Sequence, residues 1–349
     1  MNIAIAFDSV FPGWGPLDHW ARMEEEVAHW KELEPEQEYQ IGHALLKMGH
    51  SIRYVPVTED PGEFVEGLRA EKTDVVFNCT ESFHSLDRLD FVVPALLESE
   101  GICYTGAPPV ALMLTRNKAM SKKILAHHGV HVPDFLVFRM GEKVDSKHEM
   151  TFPAIVKPLK LDASDGISMS SVVKNMDELS ERVQFIHNKF GGPAIAEHFI
   201  EGRELYVGLL GNSKKLEVLP ATEMIFDKKT KPEKRIATKK AKWDDKYRAE
   251  RGIKNVLARP LAKSVQEEIE DVARTAFRAL WLRDFARLDV RLDNRNQIWV
   301  IEVNANPYLS KDHEMSIAAH KRGFKWEKFI EEIAVVARKR FKKSKQLKA

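Results

Sequence analysis

At 349 residues, with 44% hydrophobic and 30% charged side chains, the chain is long enough for roughly two or three domains with ordinary cores. A formal net charge of +2 leaves no basic excess for a nucleic-acid partner, and no apolar run approaches membrane-spanning length. The two cysteines, Cys79 and Cys103, make neither a disulfide framework nor a zinc site alone. The stretch from Met1 to Phe7 is too short for an export signal and lacks a basic lead, so a cytoplasmic location is expected.

Asn2 to Phe7 reads as a first strand. The segment from Asp8 to Trp20 follows, with Phe11, Trp14 and Trp20 among Pro12, Gly13, Gly15 and Pro16. It is expected as a long loop whose aromatics either line a ligand pocket or pack on their own domain. Glu24 to Lys47 is largely helical, in two pieces broken at Pro35 and closed by Gly49. A strand over 51–57, a helix over 61–70, an apolar strand over 74–79, a helix over 89–100 and a short strand over 102–104 come next. Strands alternating with helices predict a parallel sheet covered on both faces, with ligands beyond the carboxyl ends of its strands. Asp8-Ser9 and Asn78 to Ser82 fall there, although turn residues at strand ends are also ordinary loop residues.

Gly106 to Pro109 begins a connection, and Thr115 or Asn117 can cap a helix running to His128. Lys118 lies in the first turn of that helix, where a cation opposes the helix dipole. It is either a solvated surface lysine or a lysine facing an anion. A strand over 135–138 precedes a polar loop with a short helix over 141–150. The strand from Thr151 to Pro158 carries Lys157, a residue type rarely buried unless paired. The loop over 160–171 holds Ser164, Asp165, Gly166 and Ser168. It either folds over phosphates through N–H groups and hydroxyls or is a plain surface loop. An amphipathic helix over 177–190, a strand over 194–200, a turn at Glu201-Gly202 and a strand over 203–210 follow, with Glu204 near the start of the last.

The lysine-rich stretch from Asp227 to Arg259 is expected as a mobile excursion. It is either a solvated charged loop or a basic lid over phosphates, with Lys242-Trp243 in the lid. A helix over 264–280 leads to a hairpin of Phe285 to Leu292 and Gln297 to Asn304, turning through Asp293 to Asn296. Strict alternation puts Arg287 and Asp289 on one face of the first strand. On the second, it puts Trp299, Ile301 and Val303 on one face and Ile298, Val300, Glu302 and Asn304 on the other. Asp289, Glu302 and Asn304 are the hard oxygen donors that Mg²⁺ takes, and the alternative is a hairpin with one wet face. A loop over 308–314, an amphipathic helix over 326–340 and a frayed basic tail over 343–349 close the chain.

Taken together and in order, these segments resemble the ATP-grasp ligases, and the D-alanine–D-alanine ligase group in particular. The run Asp74-Val75-Val76-Phe77-Asn78 and Tyr104-Thr105-Gly106 are similar to that group's later first-domain strands. Asn117-Lys118 and Phe152-Pro153-Ala154-Ile155-Val156-Lys157-Pro158 resemble its two lysine motifs. Phe199-Ile200-Glu201-Gly202-Arg203-Glu204 resembles its nucleotide hinge. Arg287-Leu288-Asp289-Val290 and Ile301-Glu302-Val303-Asn304 resemble its magnesium strands.

The resemblance implies a mixed α/β and α+β chain. A Rossmann-like N-terminal domain (1–115) would precede a two-lobed ATP-grasp fold with a central subdomain (116–196), a metal-bearing C-terminal subdomain (197–342) and a basic tail (343–349). It implies ATP and Mg²⁺ (or Mn²⁺) as cofactors. Lys118 and Lys157 would bind ATP phosphates, and the backbone of Glu197, Phe199 and Ile200 would hold adenine. Glu204 would accept from ribose hydroxyls, and Asp289, Glu302 and Asn304 would hold the metal. Arg287 would stabilise the oxyanion or orient the acyl group, and Lys242 would reach the γ-phosphate, with Lys246 a competing candidate. Ser164 would act from the phosphate loop.

The implied reaction joins a carboxylate to an amine through an acyl phosphate, on small-molecule substrates such as amino acids, in a family where homodimers are common. The chain departs from the group's pattern after Pro307, where Tyr308-Leu309-Ser310 replaces a glycine-containing run. It departs again in the phosphate loop, Leu161-Asp162-Ala163-Ser164-Asp165-Gly166. A kinase on the same fold and a nucleotide-binding protein without catalysis are the alternative readings.

Overall fold

The computed structural model describes residues 1–8, 37–57, 60–145, 147–161, 164–227, 230 and 235–346. The aromatic loop after Asp8 and the helical piece before Pro35 lie outside the described residues. Among the described residues, no helix is long and apolar enough to cross a membrane.

The first strand, β1 (Asn2–Asp8), is the middle of a three-stranded parallel sheet, flanked by β2 (Ser51–Val57) and β3 (Val75–Asn78). Its apolar residues alternate between two cores. Ile3 and Ile5 join Ile41 and Leu45 of α1 (Gln37–Lys47) and Ile333 of the C-terminal helix α11 (Trp326–Gln346). Ala4 and Ala6 join Phe64 of α2 (Pro61–Arg69) and Leu97 of α3 (Val92–Ser99). The sheet is therefore covered on both faces, as strand–helix alternation predicts. The expected strand over 102–104 is only a single parallel bridge between Val76 and Tyr104.

Two helices lead out of this region, α4 (Pro109–Arg116) and α5 (Lys118–His127). The first is a helix where a connection was expected. Proline is preset for the first helical position, so Pro108-Pro109 starts a helix rather than extending a loop. Asn117 caps α5 by accepting from the Met120 N–H at 3.2 Å. Thr115 instead bonds back to Ala111 within α4.

A four-stranded antiparallel sheet follows, in the order β4 (Phe135–Phe138), β7 (Ala194–His198), β5 (Ala154–Pro158), β6 (Val172–Val173). The helix α6 (Met176–Phe190) lays Leu179, Val183 and Ile186 on Phe138 and Val156. No helix occurs over 141–150 among the described residues.

The third sheet runs β11 (Lys254–Leu257), β10 (Thr222–Ile225), β8 (Arg203–Leu210), β12 (Phe285–Leu292), β13 (Ile298–Asn304), with β9 (Glu217–Val218) beside β8. The helix α9 (Lys263–Ala279) buries Val265, Ile269, Ala276 and Phe277 in the core that holds Val207, Leu288 and Val290. Gly202 starts β8 at φ 152°, and a Cβ there would lie 2.1 Å from the Leu292 carbonyl oxygen, so only glycine lets the two strands close.

The described part of the charged excursion, 235–259, is more ordered than expected. It contains α7 (Lys239–Trp243), α8 (Asp245–Glu250) and β11, which extends the sheet edge. A further helix, α10 (Glu314–Lys321), begins where only a loop was expected, and buries Met315, Ala318 and Ala319. The last helix continues through Gln346, into the predicted tail, because lysine-rich sequence extends a formed helix readily. Its final residues are exposed.

The hairpin forms, but its faces differ from strict alternation. Asp289 pairs with Glu302, and the next residue, Val290, pairs with Val300, so Ile301 is an extra residue on β13. This bulge reverses the alternation. Ile298, Val300 and Val303 all enter the core with Leu288 and Val290. Glu302 and Asn304, across from Asp289 and Arg287, take the opposite face.

Candidate active site

The face bearing Glu302 and Asn304 looks across at β5 and β7 of the second sheet. A narrow cavity between the sheets is lined by Lys157, Glu197, Phe199, Ile200, Glu204 and Ser164, with Asp289, Glu302 and Lys242 on its floor. It adjoins a 470 Å³ cavity lined by Arg287, Asn304, Trp243, Tyr308, His313 and Glu314. Lys242 and Glu302 border both. The structure thus brings all twelve expected site residues to one connected cleft. Lys118 is the member that lies behind the wall rather than on it.

The lysines are paired through buried carboxylates. Lys118 is 3% exposed, which removes the solvated reading; its Nζ lies 2.8 Å from Glu302 Oε1 and also donates to the Leu161 carbonyl. Lys157 Nζ lies 2.9 Å from Glu197 Oε2. Lys242, near the end of α7, reaches Asp289 Oδ2 at 3.4 Å. Lys246 lies on α8, exposed and away from both cavities. Burial pushes the Glu302 carboxyl up, but Lys118, Lys157 and Lys242 together hold it well below the usual carboxylate range.

Arg287 is held on two sides. Its Nε and Nη2 donate to Asp289 at 2.7 and 3.1 Å, and its Nη1 lies 3.5 Å from Glu314 Oε2. The Tyr206 ring lies 5.2 Å beneath the guanidinium. Burial works against its charge, but Asp289 and Glu314 more than offset this, so it stays protonated. Asn304 Nδ2 donates to Asp289 Oδ1 at 3.1 Å.

Two of the groups expected at the nucleotide also have partners within the fold. The Phe199 N–H donates to the Pro153 carbonyl at 2.9 Å, so this backbone donor is committed within the fold. Glu204 accepts from Arg291 Nη2 at 2.6 Å and from the Tyr206 hydroxyl at 3.0 Å. Ser164 sits at the cavity wall with φ 62°, in the left-handed region.

Sequence reasoning missed Arg291, Glu314 and Lys122. Arg291 continues the alternation of Arg287 and Asp289, a signal that was present. Lys122 falls four residues after Lys118, on the same helix face. It is 1% exposed, its Nζ lies 3.5 Å from Glu197 Oε1, and burial pulls it down to about 8 against the pull of Glu197. Glu314 gave no signal, because it falls at the end of the loop expected over 308–314, with no helix expected directly after it. Nor did the spacing of Trp243, Tyr308 and His313 reveal that their rings meet at centroid distances of 4.7–6.0 Å.

The donor set fits a hard divalent cation. Asp289 and Glu302 are directly opposed in the ladder, with Asn304 two residues on. Among the described residues no group of three His, Cys, Asp or Glu side chains is arranged for a metal.

The two antiparallel sheets gripping a cleft, behind a parallel three-stranded sheet, define an ATP-grasp fold. Residues 124–335 match the family described as D-ala D-ala ligase C-terminus, and the chain belongs to the D-alanine–D-alanine ligase family. A D-alanine–D-alanine ligase of Desulforudis audaxviator is 31% identical over 301 residues, covering 85% of this chain and 91% of the relative. An uncharacterized protein, y4sG, of Sinorhizobium fredii is 33% identical over 272 residues, covering 78% and 77%. Among solved structures, the Bacillus anthracis D-alanine–D-alanine ligase complexed with ATP superposes with a TM-score of 0.74 over 99% of both chains, at 18% identity. The VanG D-Ala:D-Ser ligase of Enterococcus faecalis gives 0.69 over 96% of this chain and 99% of that one, at 17% identity.

Proposed function

We propose that this chain joins a carboxylate to an amine in the cleft between its two antiparallel sheets, through an acyl phosphate, in the cytoplasm. As a family member it is an ATP-dependent, ADP-forming carbon–nitrogen ligase that uses Mg²⁺. The observation that carries the site assignment is the pairing of Lys118, Lys242 and Arg287 with the opposed carboxylates Asp289 and Glu302, with Lys157 on Glu197 in the same cleft. The proposed division at 115 separates the first sheet from the second; β7 of the second sheet runs to His198, so we set the division expected at 196 after it, before β8.

In this reading Lys118 and Lys157 hold the ATP phosphates as point charges, and Lys242 reaches the γ-phosphate from α7. Glu204 faces the ribose, and the connection at Phe199-Ile200 backs the base. Ser164 closes the phosphate side. Asp289, Glu302 and Asn304 hold the divalent ion, which neutralises phosphate charge when bound. The substrate carboxylate attacks the γ-phosphorus and ADP leaves. The amine then attacks the acyl carbon, gives up a proton, and phosphate departs. Arg287 faces the oxyanion of that second step. The fixed geometry of Arg287 supports the role, since a donor already held in place needs no reorganisation.

D-Alanine and D-serine are the substrates that the relatives' names carry. Here Trp243, Tyr308 and His313 line the cavity beside the metal strands, and Tyr308-Leu309-Ser310 departs from the group's pattern, which supports a different amino acid or small acid as partner. A panel of acids and amines, alone and in pairs, read by phosphate release, tests this. Turnover should require both an acid and an amine, and hydroxylamine should trap the acyl phosphate; phosphorylation of a hydroxyl compound without trapping would make it a kinase. Asp289→Asn and Glu302→Gln should each reduce turnover at least about 10²-fold with an unchanged far-UV spectrum. Wild-type rates in both would remove the metal assignment.

A further inference from the structure

An extra residue in a covered strand leaves a backbone carbonyl without a ladder partner, and such a group must be satisfied elsewhere. Ile301 is that residue, and its carbonyl accepts from the Nζ of Lys122. Lys122 comes from α5, 179 residues earlier in the chain. The same ammonium group lies 3.5 Å from Glu197, whose other oxygen holds Lys157 at 2.9 Å. A buried ammonium is costly unless paired, so a carbonyl acceptor on one sheet and a carboxylate counter-charge on another hold this one in place.

The bulge also decides where Glu302 points. Without the extra residue, Glu302 would follow Ile298 and Val300 onto the core face, among Leu288 and Val290. With it, Glu302 lies opposite Asp289 in the cleft. Lys122 therefore supports the backbone irregularity that presents one of the two carboxylates.

We propose that Lys122 is a positioning residue for the metal site: by satisfying the Ile301 carbonyl and bracing Glu197, it fixes Glu302 beside Asp289 without touching nucleotide or metal. This rests on the reading of Asp289 and Glu302 as metal ligands.

The test is Mn²⁺ affinity in the presence of ADP, followed by the electron paramagnetic resonance of free Mn²⁺, with thermal melting alongside. Lys122→Met should weaken Mn²⁺ binding roughly 10- to 100-fold, the range for residues that orient metal ligands. Lys123→Met, an exposed neighbour, should leave it unchanged. Mn²⁺ affinity within about twofold of wild type in Lys122→Met would overturn the proposal, however far the melting temperature falls, because a core-filling role moves stability alone. If Lys122→Met does not fold, Lys122→Gln decides. Its shorter, uncharged amide should still weaken Mn²⁺ binding by about fivefold or more, and unchanged affinity overturns the proposal. Asp289→Asn separates the two readings. If it loses Mn²⁺ while Lys122→Met keeps it, only the Lys122 role fails; if it binds like wild type, the ligand assignment fails and the Lys122 role with it.

Discussion

Lys242 and Lys246 stand four positions apart, a spacing that on one continuous helix would put them on the same face. They are not on one helix. Asp244 ends α7 and caps α8 by accepting from the Tyr247 N–H at 2.9 Å, so the axis changes between them. Only Lys242 is directed to Asp289. Lys242→Met is expected to lower kcat about 10²- to 10³-fold, the scale for losing a donor to developing charge. Lys246→Met should stay within about twofold, since surface changes away from such features are small. Steady-state kinetics on both variants checks this. The sequence could not choose between them, because the capping role of Asp244 depends on a local turn and not on composition. Lys118 and Lys157 were legible because each follows a recognisable local signal. Glu314 was not, because its role depends on Arg287, 27 positions away in the sequence.

At the scale of elements, the hairpin was legible and its faces were not. Turn residues at 293–296 and two apolar runs announce the strands. The bulge at Ile301 carries no glycine to mark it, and its carbonyl is satisfied from α5. The missed helices α4 and α10 have a common cause: neither has a side-chain N-cap, the feature by which a helix start is most readily read. The edge of the third sheet rests on Glu223 of β10, which accepts from Arg203 at 2.8–3.0 Å and from Arg259 at 2.5–3.1 Å. Burial pushes this carboxyl up, but the two guanidinium groups outweigh it and bring it down to about 2 from an ordinary 4.5. A folded pKa below the unfolded one means the stabilisation is present above about pH 4.5 and is lost as pH falls toward 2. Because Arg259 is largely solvated, the effect is set at about 2 kcal/mol rather than the full shift. Glu223→Gln should therefore be less stable than wild type at pH 7, with the difference disappearing by about pH 2 to 3. Urea unfolding at a series of pH values measures it; a constant difference across that range would refute the account.

At the scale of the whole molecule, one aspartate joins regions far apart in sequence. Asp284 is 0% exposed and accepts from Arg340 of α11 at 2.9 Å, from Asn212 after β8 at 2.8 Å and from the Gly106 N–H at 3.1 Å. The parallel sheet's exit, the third sheet and the last helix therefore meet on a single carboxylate. Asp284→Ala leaves Arg340 only the Tyr104 carbonyl as an acceptor, and a loss of about 2–3 kcal/mol is expected, below that for a fully buried pair because Arg340 is partly exposed. Chemical denaturation with probes in the first and third sheets should show both regions loosening together. The succession of three sheets was legible from the order of strands and helices, whereas this junction was not, since its members lie 72 and 178 positions apart in the sequence.

The pairing in the cleft also bears on what can enter it. Glu302 already has Lys118, and Asp289 already has Arg287 and Lys242. In the proposed assignment, a polyphosphate arriving alone draws the lysines away, strands Glu302 in a covered site and leaves Asp289 to Arg287 alone. A divalent ion arriving alone takes the carboxylates and strands the lysines. When both arrive as one complex, every displaced charge finds a new counterpart in the same event. In the proposed assignment the cleft would thus act as an ion exchanger with a coincidence requirement, trading internal partners for external ones only when anion and cation come together.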